Sequence, residues 1–111
     1  MGDGQHAWAA AEWVLYLRNA FVRDERDRLV LGSGVPRDWI EGTHTLRFGP
    51  TPTRFGPVAI EIESDSRAVR VQWTGDWHTS APDVEVSLFG HQPVRVSGDE
   101  KVVSIDRSRV Q

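Results

Sequence analysis

The stretch VAIEIESDSRAVRVQW, residues 58–73, decides the fold. Val58, Ile60 and Ile62 point one way, and Glu61 and Glu63 the other. After the turn SDSR, Val69, Val71 and Trp73 resume the same period. A side-chain period of two places one row of residues on a core and the next in water. The two rows predict a pair of hairpin strands whose apolar face looks inward.

The pattern extends in both directions from this hairpin. Downstream, GDWHTSAPD reads as a longer loop, and Val84, Val86 and Leu88 form the next inward row, with Glu85 and Ser87 outward. GHQP and SGDE are turns leading to Val94 and Val96 and to a closing strand over 101–106. Upstream, TLRFGPTPTRFGPV carries FGP at 48–50 and 55–57, which reads as extended edge segments where proline's missing N–H is tolerated. LVLGSGVP supplies a short strand at 29–31 and a glycine-rich loop. Pro36 then opens a single helical turn, PRDWI. RDERDR, 23–28, reads as a charged, solvated turn. Short strands joined by tight turns predict an antiparallel sandwich over about 29–106.

The front of the chain is different. Residues 5–22 hold good helix formers, with no proline or glycine between His6 and Val22. At about 100° per residue, Trp13, Leu17 and Phe21 line one side, with Val14 near them. Trp8, Leu15 and Val22 line a second. A helix apolar on two sides is buried between two layers, or meets something outside the sandwich. The expected architecture is therefore α+β: one N-terminal helix packed on an antiparallel β-sandwich, in a single domain over 1–111.

Composition narrows the function classes. The 111 residues carry 13 basic and 16 acidic side chains, a net charge of -3. Those charges are interspersed, which speaks against nucleic acid or an anionic membrane as the main partner. With no cysteine there is no disulfide framework and no thiolate metal site, and the redox reading leans to the cytoplasm. No apolar run approaches membrane-spanning length.

Candidate chemistry is sparse. Glu61 and Glu63 share an outward strand face and read as an ordinary wet surface. Glu12, on an apolar helix, needs a partner or a cavity. His6, His44, His78 and His91 lie far apart without metal-ligand spacing, so no metal site and no cofactor are implied. No serine stands in a nucleophile elbow, and the glycines lack the spacing of a phosphate cradle. Of the five tryptophans, Trp8, Trp13 and Trp73 fall on apolar faces. Trp39 and Trp77 sit in loops among polar neighbours, where an indole either stacks on a sugar ring or anchors its loop. Trp39 reads as an anchor. For Trp77, with His78 beside it, both readings stand, and its polar flanks predict exposure.

HAWAAAEWVLYLRN, then LVLGSGVPRDWIEG, then TPTRFGPVAIEIES resemble, in order, the C-terminal end of bacterial glycoside-hydrolase-like proteins built on an (α/α)6 toroid. In that family a His-x-Trp-x-x-Ala-Glu run belongs to the last toroid helix. A Gly-[Ile/Val]-Pro-x-x-Trp loop and a Pro-Thr-x-Phe-Gly-Pro-Val segment then lead into a terminal β-sandwich. The resemblance spans residues 4–64 and fades into a general sandwich pattern beyond them. It implies a non-catalytic accessory domain of a carbohydrate-active enzyme. The catalytic carboxylates would lie upstream in the toroid, so no catalytic residue transfers to this chain. The implied partner is that toroid, or in its absence a second copy held through Trp8, Leu15 and Val22. Two alternatives remain: an independent carbohydrate-binding module using Trp77, Trp39 and His78, and a small protein–protein interaction domain.

Overall fold

The computed structural model describes residues 17–106. Residues 17–21 are helical (α1) and run without a linker into a strand. The chain then forms β1 (Val22–Asp24), β2 (Arg28–Leu31), a helical turn α2 (Arg37–Ile40), β3 (His44–Thr51), β4 (Val58–Ser64) and β5 (Ala68–Gly75). It ends with β6 (Asp83–Val86), β7 (Val94–Ser97), a 3-10 turn (Gly98–Glu100) and β8 (Val102–Asp106). Two four-stranded sheets result, in the orders β1-β2-β6-β7 and β3-β4-β5-β8. The architecture is α+β, a helix end packed on a mostly antiparallel two-sheet sandwich.

The 58–73 reading holds residue by residue. β4 and β5 pair antiparallel with Ile62 opposite Val71 and Ile60 opposite Trp73. Asp65 closes their turn: its Oδ1 accepts the N–H groups of Arg67 and Ala68 at 2.7 and 2.9 Å, the local bonding that makes aspartate a turn residue. Val58, Ile60, Ile62, Val69, Val71 and Trp73 join Leu29, Leu31, Val84 and Val86 of the other sheet, and Leu88 just beyond β6, in one core. Buried Trp73 donates its indole N–H to the Gly98 carbonyl at 2.9 Å, so its polar edge is satisfied. The first FGP lies in β3, at the edge of its sheet, where the register shifts between Phe48 and Thr51. The second stands in the turn before β4.

Three expectations are corrected. Helix α1 stops at residue 21, and Val22 begins β1 opposite Leu31. Fully buried, Val22 belongs to the core and to no outward helix face. The cause is the loop 32–34, whose Gly32 and Gly34 N–H groups take the carbonyls of Phe21 and Ala20 at 2.9 and 3.1 Å. Gly34 has to be glycine there, because a Cβ would stand 2.8 Å from the Ala20 Cα. Second, part of the charged run 23–28 is sheet: β1 and β2 form a hairpin closed by Glu25 N–H on the Arg28 carbonyl at 2.8 Å. The sandwich thus begins at residue 22, ahead of the expected 29. Third, β2 and β6 run parallel, because the chain leaves β2, builds three strands of the opposite sheet and returns beside it. The remainder of the predicted helix, with Trp8, Glu12, Trp13 and Leu15, lies outside the described residues.

Candidate functional site

Trp39 is half-buried on α2, its ring centroid 6.2 Å from that of Phe21. Phe21 in turn stacks on Phe48 of β3 at 5.1 Å with nearly parallel planes. One aromatic group thereby ties the end of α1, the helical turn and an edge strand together, which is the anchor role read for Trp39. Trp77 is half-buried as well, contrary to the exposure its polar neighbours predicted. Its indole lies against Gly75, where a Cβ would fall 2.2 Å from the ring. The missing side chain makes the seat for the indole. His78 is exposed, with its backbone N–H on the Phe55 carbonyl at 2.9 Å. Trp39 and Trp77 both pack against the one core, Trp39 of α2 through Phe21 and Trp77 in the loop after β5. Of the three residues read as an association face, Val22 is buried, and Trp8 and Leu15 fall outside the described residues.

The outward face of the β3-β4-β5-β8 sheet carries a feature that strand-by-strand reading missed. Cross-strand register aligns Arg47, Glu61, Gln72 and Val102 in one row, with Ala59 opposite Thr74 in the next. Where the second row is small, the face sinks into a trough of about 420 Å³, lined by Arg47, Gly49, Glu61, Gln72, Thr74 and Lys101 among others. Arg47 and Glu61 form an ion pair through Nε, and that bond pushes the guanidinium pKa up from its ordinary value. Glu63, one row away, lies 3.7 Å from Arg70 and accepts the Gln72 amide at 3.0 Å.

Lys101 has the backbone shape that stands out. Its φ is +68°, the one positive value at a non-glycine residue among those described. Its carbonyl accepts the Trp73 N–H at 3.0 Å, pinning the end of the 3-10 turn to β5. Alternation along β3 and β4 places Arg47 and Glu61 outward, but only their pairing opens the trough. The left-handed lysine has no local signal beyond the polar turn SGDEK.

Among the described residues no cluster of three metal-ligating side chains exists. No helix there is long and apolar enough to cross a membrane. The fold and its surface define a small α+β domain, a helix end fused to a β-sandwich, with a trough of mixed polar and apolar lining on one outer sheet. No protein family, no curated protein and no solved structure matches the chain.

Proposed function

We propose that this chain is a non-catalytic accessory domain of a carbohydrate-active enzyme, a β-sandwich carried on the end of a helix. The observation that supports this reading most is the stiffness of the helix–sandwich junction. No linker separates α1 from β1; Phe21 is buried, and two loop N–H groups close the last helical carbonyls. Arg18, on the same helix, reaches Asp24 at 3.2 Å and the Pro52 carbonyl at 3.0 Å. A junction of this kind transmits orientation from a helical body to the sandwich, whereas a linked binding module swings freely. The likeness of the helix, the glycine–proline loop and the second FGP segment to the end of a toroid enzyme points the same way.

Several of the described carboxylates are engaged in structural contacts. Asp24, Asp27, Glu61, Glu63, Asp83 and Glu85 each sit in an ion pair with an arginine. Glycoside hydrolysis needs two carboxyl groups facing each other across a bond, about 5–9.5 Å apart. Incubation of the chain with aryl glycosides and maltooligosaccharides should give no turnover. Turnover that co-purifies with the chain and disappears in Glu12→Gln would sink the reading.

The second reading, a carbohydrate-binding module at Trp77, rests on the part of that indole left open beside exposed His78. Soluble oligosaccharide should then quench or blue-shift tryptophan emission, and Trp77→Ala should remove the response.

A further inference from the structure

We infer that the trough on the outer face of the β3-β4-β5-β8 sheet is a binding site for the carboxylate-bearing unit of an acidic oligosaccharide. The assignment rests on the carbohydrate reading above and names the class of sugar.

The floor is low because Gly49, Ala59 and Thr74 stand there in place of long side chains, leaving a space of about 420 Å³. That lies within the range of small-ligand sites, roughly 300–1,000 Å³. The walls offer hydrogen-bonding groups of both kinds: the Gln72 amide and Thr74 hydroxyl give and accept, as the hydroxyls of a sugar ring require. Phe48 and Trp73 also line the trough, but Trp73 is buried and Phe48 is stacked on Phe21, so the exposed groups that can recognise a ligand are the polar ones.

Charge selects the acidic sugar. Arg47 and Lys101 set two positive charges against one negative charge of Glu61 along the trough, and the Glu63–Arg70 pair beside it adds one charge of each sign. Glu61 occupies the Nε edge of Arg47, yet the arginine side chain is 77% exposed. Its remaining N–H groups form the planar fork that suits a carboxylate. Lys101 has no salt bridge among the described residues. One net positive charge suits a single carboxylate and is poorly matched to a polyphosphate chain.

Lys101 takes its left-handed φ as the C-cap of the 3-10 turn. An L-residue with a long side chain is strained there, and glycine would relieve the strain. A left-handed cap is an ordinary end for a helical turn, usually filled by glycine, and the Trp73 N–H on the Lys101 carbonyl holds it in place. Here the strained residue is a cation on the trough wall, facing the same space as Arg47.

Isothermal titration with an oligogalacturonate trimer, to about 10 mM, tests the assignment with maltotriose as the neutral arm. The acidic trimer should bind and maltotriose should not, and added salt should weaken binding. Lys101→Gly and Arg47→Ala should each lower affinity about tenfold or more, the scale of one charge-assisted hydrogen bond. Lys101→Gly should do so without lowering the urea midpoint, since the strain is gone, which separates loss of charge from loss of fold. Arg23→Ala, an exposed arginine on the other sheet, should bind as the parent chain does. No binding of the acidic trimer, equal binding of maltotriose, or parent-like affinity in both trough variants would each overturn the assignment. Those results leave the accessory-domain reading intact, because that reading falls only on glycoside turnover.

Discussion

Asp24 shows how much one carboxylate can hold. It ends β1, pairs with Arg18 of α1 at 3.2 Å and accepts the Arg54 backbone N–H at 2.8 Å. Burial alone pushes its pKa up, but the Arg54 N–H and the Arg18 guanidinium outweigh that and hold it below the ordinary 3.8. A carboxyl whose folded pKa is depressed contributes stability that is present above its unfolded value and lost as pH falls through the folded one. The contribution is therefore intact at neutral pH and disappears below about pH 3.8. Urea midpoints measured from pH 7 down to pH 2.5 should fall less steeply at the acid end in Asp24→Asn than in the parent. Parallel curves would mean the contact is idle. Ile60 belongs to the same scale. It is 3% exposed between paired strands, so Ile60→Ala should cost about 2–5 kcal/mol by denaturant titration. An unchanged midpoint would put Ile60 in water and the register off by one.

Among the elements, the parallel β2–β6 pair is the join that needs explaining. Parallel neighbours cannot be closed by a tight turn, and their pairing is slightly less stable per residue than antiparallel pairing. Here the pair is backed from both sides. Leu29 and Leu31 align with Val84 and Val86 on the core face. On the outer face Arg28 reaches Glu85 at 3.1 Å and Asp27 at 3.0 Å, while Arg95 of β7 joins Asp27 at 3.4 Å and Asp83 at 3.2 Å. The charges link β2, β6 and β7 in a chain across the strands. Arg28 and Glu85 are each about one-quarter exposed at the side chain, 27% and 22%, so their coupling should exceed that of an open pair. A double-mutant cycle of Arg28→Ala and Glu85→Ala should give a favourable coupling distinguishable from zero. A coupling of zero would leave the apolar row alone to set the parallel register.

At the scale of the whole molecule, the question is what the helix does beyond the sandwich. Leu17 and Phe21 belong to one predicted stripe, and Phe21 is buried against Phe48 and Trp39. The second stripe has lost Val22 to the core, so an association surface there would rest on Trp8 and Leu15. Covering one large apolar side chain is worth about 1.5–3 kcal/mol, and two offset part of the cost of bringing copies together. Sedimentation velocity over a concentration series should show weak self-association, reduced in the double variant Trp8→Glu, Leu15→Lys. Val22→Lys should unfold the chain instead, since the residue fills the core. A parent that stays monomeric at high micromolar concentration would remove the association surface and leave the helix with its sandwich contacts alone.

What the sequence by itself determined is the part governed by period and turn chemistry. Ile60, Ile62, Val69, Val71 and Trp73 could be placed on the core because alternation is a local property of an extended chain. SDSR could be placed as a turn because Asp65 bonds its own neighbours. Trp39, in a loop among polar neighbours, could be read either as a sugar-stacking platform or as an anchor, with the anchor favoured. Tertiary structure alone decided the rest, because each remaining feature depends on which distant segments meet. Val22 left the helix because Gly32 and Gly34 closed the Phe21 and Ala20 carbonyls and Leu31 paired with it. β6 lies parallel to β2 because three strands of the other sheet intervene between them. Trp77 found its seat on Gly75, and the trough appeared only when register set Arg47 beside Glu61 and Lys101 turned left-handed beneath Trp73. Local periodicity says which face of a strand is dry. It does not say which strands share that face, and the candidate site is made by that sharing.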